Sequence, residues 1–140
     1  MKRDIRPSEG ILRLFYAGTA LLHLGLGIWL FASPHSFFTT IGAFGPYSRH
    51  YERDVATFYL ALGVAGWIAA SRATWRVPVL GILTIQYVLH SINHAFDVDR
   101  AHNSWAGPVD VISLSLAAIQ FAVLLWLLTR RQRGKRAAAL

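Results

Sequence analysis

The chain has 140 residues, 54% of them hydrophobic and only 15% charged, which is too apolar for an ordinary water-soluble domain of this size. The formal charge of +7 sits in short basic clusters beside long apolar runs, not along a polar arm or helix face, so nucleic-acid binding is not indicated. With no cysteine, disulfides, thiolate catalysis and thiolate-ligated clusters are excluded, and any bound metal must take nitrogen or oxygen ligands.

Residues 1–140 are read as a single integral membrane domain. The first apolar run, 11–33, is interrupted only by Arg13, Tyr16, Thr19 and His23, and at about 1.5 Å rise per residue it can cross about 30 Å of hydrocarbon. Lys2, Arg3 and Arg6 resemble the start of a signal peptide, but the run is too long and lacks a cleavage signal, so it is expected to be a retained helix. Residues 34–54 carry Phe37, Phe38, Ile41, Phe44, Tyr47 and Tyr51, too apolar for a solvated loop, and predict an interfacial segment broken by Gly42, Gly45 and Pro46.

The second span, 55–71, holds Gly63 and Gly66, whose small size allows a neighbouring helix to approach closely. A tight link through Arg72 and Arg76 makes it an antiparallel hairpin with the third span, 77–96, where Pro78 is tolerable near a helix start. The fourth span, 108–128, opens at Pro108 and runs into a basic tail, 129–140, expected to be frayed or lipid-bound. The fold class is therefore all-α: a polytopic four-transmembrane-helix bundle. Lys2, Arg3, Arg6, Arg13, Arg72, Arg76 and the tail's basic residues fall on one side and only Arg49, Arg53 and Arg100 on the other, placing both termini in the cytoplasm.

Chemistry concentrates on the third span. Gln86, His90, Asn93, His94 and Asp97 recur at helical spacing and form a polar stripe expected to face the bundle interior, since polar groups in hydrocarbon seek partners. His90 and His94, four apart, can direct two imidazoles at one ion, with Asp97 a turn on as third ligand or orienting group. The same residues can instead hold the helices together by hydrogen bonds, transfer protons, or line a pocket for a small polar molecule. Asp54, Asp110 and the deeper His23 are further contributors, although acidic residues at helix starts also suit the helix dipole without any function. Ser113 and Gln120 extend the polar face of the fourth span, predicting a hydrated, outward-facing cavity.

The cofactor expectation is a transition metal on His90, His94 and Asp97, with haem between His23 and His90 the lesser alternative. The leading functional expectation is handling of a metal, proton or small ligand at this site. Competing with it are an accessory subunit docked on another membrane protein through Gly18, Gly25, Gly63 and Gly66, and a haem- or quinone-linked oxidoreductase. Partners are therefore the bilayer and a homo-oligomer or membrane-protein neighbour, with no nucleic acid.

The order of features, with the segment Arg53-Asp54-Val-Ala-Thr-Phe58-Tyr59-Leu-Ala-Leu-Gly63 after a Pro-containing aromatic connection, resembles the DoxX-like and related four-helix membrane families of bacteria. That resemblance implies a bundle in the bacterial inner membrane and assigns no catalytic residue.

Overall fold

The computed structural model describes residues 7–42 and 44–137; Lys2, Arg3 and Arg6, and the end of the basic tail at 138–140, lie outside them. The described residues are helical, with five α-helices: α1 (Glu9–Ala32), α2 (Pro34–Thr40), α3 (Arg49–Ser71), α4 (Arg76–Phe96) and α5 (Ala106–Ala137). Short 3₁₀ turns at Ala73–Trp75 and Val98–Arg100 precede α4 and α5. Three of these helices, α1, α3 and the Ala106–Arg130 part of α5, are long and apolar enough to cross a membrane.

Local chemistry explains the helix ends. Ser8 and Ser48 are N-caps whose hydroxyls accept from the Ile11 and Tyr51 amides, relieving amides that have no partner within the helix. The Ser48 cap starts α3 at Arg49, ahead of the apolar run at 55. Pro34 sits in the first turn of α2, where its missing N–H costs nothing, and Gly45 supplies the positive φ of 72° that turns the chain back toward α3. At the other end of the chain α5 continues as helix through Ala137, well past the expected boundary at 128.

The long helices associate as two close pairs, α1 with α3 and α4 with α5. Glycine makes the first pair possible: a Cβ on Gly27 would stand 2.9 Å from Leu60 Cγ, and one on Gly63 only 2.6 Å from Leu24 Cγ. Gly66 packs likewise on Ala20, whereas Gly18 and Gly25 face open space. Gly63 and Gly66 are thus used within the chain, on α1.

The two pairs are fastened at the Glu9 end. There Tyr16, Ala69, Val79, Leu80, Leu83 and Phe121 form a buried cluster shared by all four long helices. Arg76, only 5% exposed, clamps Glu9 in bidentate fashion at 2.8 and 2.7 Å. Its Nε–H donates to the Ala69 carbonyl, and the Tyr16 hydroxyl donates to the carbonyl of Arg76 at 2.8 Å. One side chain so joins α1, α3 and α4, using the planar fork that suits arginine to a carboxylate. Towards the opposite end a second cluster, Leu30, Phe37 and Ala56, binds α1, α2 and α3 without α4 or α5, so the pairs stand apart there.

Candidate functional site

The space left between the pairs is a cavity of about 810 Å³, within the roughly 300–1,000 Å³ range of small-molecule sites. Its α1 wall is apolar, with Leu14, Leu22, Leu26 and Leu30, while α4 and α5 contribute His90, Asn93, His94, Asp97, Asp110, Ser113 and Gln120. Phe37, Phe44, Tyr51 and Tyr59 add aromatic faces from α2, the following loop and α3.

His90 and His94, one turn apart on α4, bring their Nε2 atoms to 3.0 Å with ring centroids 4.7 Å apart. One ring must therefore donate to the other. His94 Nδ1 faces Asp110 Oδ2 of α5 at 3.7 Å, too far for a hydrogen bond, and this buried nitrogen has no other partner among the described residues. Beside a carboxylate an N–H is favoured over a lone pair, which makes His94 Nε2 the acceptor and His90 the donor. Phe44 packs edge-on against His94, centroids 4.7 Å apart. It is held there by a single antiparallel bridge between Phe44 and Ala101.

The other residues expected at the site divide. Asn93 and Asp97 line the cavity, but Asp97 is turned to Arg100 at 3.3 Å. Gln86 is exposed and absent from the cavity wall. Asp54 pairs with His50 on the surface at 3.4 Å. His23, 1% exposed, lies beneath the cavity: its Nδ1–H donates to the Thr19 carbonyl at 2.7 Å, and the Tyr87 hydroxyl donates to Nε2 at 3.2 Å. Both nitrogens of His23 are thereby occupied, and its neighbours are Tyr59 and Tyr87, with His90 a turn further along α4.

Only with that hydrogen bond released could the two Nε2 atoms serve as two ligands of one ion. Among the described residues, however, no group of three or more His, Cys, Asp or Glu side chains comes together to hold a metal.

A family model described as a family of unknown function, DUF6790, matches residues 1–137. The chain belongs to this family. No curated protein and no solved structure matches it, and nothing in these comparisons shows a link to the DoxX-like families.

In this DUF6790 chain three participants escaped sequence reasoning: Tyr87, Tyr59 and Phe44. Tyr87 was findable, being three residues before His90 on the same helix face. Tyr59 and Phe44 reach the site only through tertiary packing, and no spacing within their own segments signals it.

Proposed function

We propose that this DUF6790 protein is a multi-pass protein of the bacterial inner membrane, with four spans and both termini in the cytoplasm, that binds a small amphipathic molecule in the cavity between its helix pairs. The observation that carries this reading is the cavity itself: apolar along α1, polar along α4 and α5, and large enough for a ligand. His90, His94 and Asp110 form its recognition end, a short donor chain whose last polar contact is unmet within the protein.

The fourth span in this reading is α4. Its polar groups lower its apolarity, but His90, Asn93 and His94 turn to the cavity and Asp97 pairs with Arg100 at the helix end, while its outward face carries Ile82, Ile85, Leu89, Ile92 and Phe96, all exposed, with the exposed Gln86 among them. Such a mostly apolar exterior suits lipid. The same holds for Leu14, Leu21 and Ile28 of α1 and Ile112, Leu116, Ile119 and Val123 of α5. The positive-inside bias then sets the direction.

Two experiments test this reading. Because the chain lacks cysteine, single cysteines at Thr74 and Asn103 can be labelled cleanly in intact cells; Asn103 is expected to react from outside and Thr74 only after lysis. Native mass spectrometry of protein in nanodiscs is expected to show a bound small molecule that is lost in Gly18→Phe, since Gly18 lines the cavity and a side chain there meets nothing within 4 Å. Wild type and Gly18→Phe with identical spectra, and identical melting when amphiphiles are added, would overturn the binding reading.

A further inference from the structure

We infer that the ligand of this cavity is a lipophilic cation, an apolar chain or ring carrying an ammonium group; this rests on the cavity being a binding site.

The argument starts from charge. The chain has 14 Lys and Arg against 7 Asp and Glu, yet the charged residues lining the cavity are Glu52, Asp97 and Asp110, with no Lys or Arg among them. A protein with twice as many Lys and Arg as Asp and Glu places none of the described ones on this cavity. Asp97 is answered by Arg100. Glu52, half-buried on α3, makes no ion pair among the described residues, and Asp110 has only the distant contact to His94. Two carboxylates on opposite helix pairs are therefore left facing a common space without a cation.

The rest of the lining suits the same ligand. Phe37, Phe44, Tyr51 and Tyr59 stand around the acidic end, and aromatic faces attract ammonium groups through the ring quadrupole, most strongly where water is excluded. An anionic head would meet two carboxylates and no Lys or Arg, and a zwitterionic phospholipid would bring its phosphate against them, so the free ammonium is favoured over both. The apolar body lies along Leu14, Gly18 and Leu22; Leu14 and Leu22 are 75% and 55% exposed, so this seam beside α5 is open to lipid and serves as the entrance.

The test compares dodecyltrimethylammonium, dodecanol, dodecanoate and dodecylphosphocholine below their micellar concentrations, by displacement of a fluorescent amphiphile from protein in nanodiscs at pH 8. The trimethylammonium probe is expected to bind at least about tenfold tighter than the other three. Glu52→Gln and Asp110→Asn, both near-isosteric and checked for unchanged melting, are each expected to weaken it by about tenfold while leaving dodecanol unaffected. Glu52→Lys is expected to turn the preference towards dodecanoate. Equal binding of ammonium and alcohol, insensitive to these variants, would overturn the charge assignment while keeping the cavity as a site. Tighter binding of dodecanoate or dodecylphosphocholine would overturn it as well. Binding of none of the four would overturn the charge assignment and the cavity reading together.

Discussion

Adding one methyl group at Gly63 should separate the seam inside the molecule from the open glycine face outside it. A Cβ on Gly63 would lie 2.6 Å from Leu24 Cγ, 2.8 Å from Cδ2 and 2.9 Å from the Leu24 backbone nitrogen, against about 3.5–4.0 Å for carbons at rest. The overlap is close to 1 Å, and because one of the atoms is backbone, α1 itself must shift. Overpacking of this kind costs about 1–3 kcal/mol; the gain in helix propensity of alanine over glycine returns about 1 kcal/mol at most. Gly63→Ala is therefore expected to lose up to about 2 kcal/mol net. Gly25→Ala, with nothing within 4 Å of the added atom, is expected to be neutral or slightly stabilising. Reversible unfolding in mixed micelles, followed by helical circular dichroism, measures both. If the two variants melt alike, or Gly25→Ala is the more damaging, the α1–α3 seam is not where the structure has it and Gly25 faces a partner.

Arg76→Lys is expected to lower the melting temperature markedly despite conserving charge, because an ammonium cannot make the two parallel bonds to Glu9 and the third to Ala69; an unchanged melt would show the clamp to be dispensable. His23→Leu leaves the buried Tyr87 hydroxyl without its acceptor and should cost about 1–3 kcal/mol. His94→Leu removes a buried nitrogen without a partner but also leaves the His90 N–H without its acceptor, so a loss of about 1–3 kcal/mol is expected, and an unchanged melting temperature would show that the His90–His94 bond does not hold the helix. Phe44→Ala takes away the ring packed on His94 and is expected to speed release of a bound amphiphile, measured by stopped-flow displacement, more than it lowers the melting temperature.

The helices were legible because their signals are local. The apolar run of α1, the Pro78 start near α4 and the polar face of α4 each lie within one segment, and the helical period converts them directly into faces. Pairing was less legible. The short Arg72–Arg76 link makes α3 and α4 neighbours in sequence, yet α3 lies closest along α1, since Gly63 and Gly66 admit α1 and no comparable notch faces α4. The α4 stripe identified His90 and His94, but a helix face is broad enough to hold residues of different fates. Gln86 at its margin is exposed, and Asp97, at the helix end, pairs with the Arg100 of the next turn. The carboxylate that does face His94 is Asp110, on another helix. No spacing rule ranks a residue sixteen positions away above one three positions away; only the α4–α5 packing does.

The bundle is built like a clothes-peg. At one end a buried aromatic and aliphatic cluster and the Arg76 clamp hold all four long helices; at the other, the halves are linked by the Phe44–Ala101 bridge and by ring contacts from Phe44 and Phe38 to His94 and His102. Spreading the jaws breaks little and leaves the spring intact. On the proposed binding reading, a guest of greater girth would be met by rotation about the fastened end, without repacking the core, and selection among guests would fall to the chemistry of the head more than to the thickness of the body.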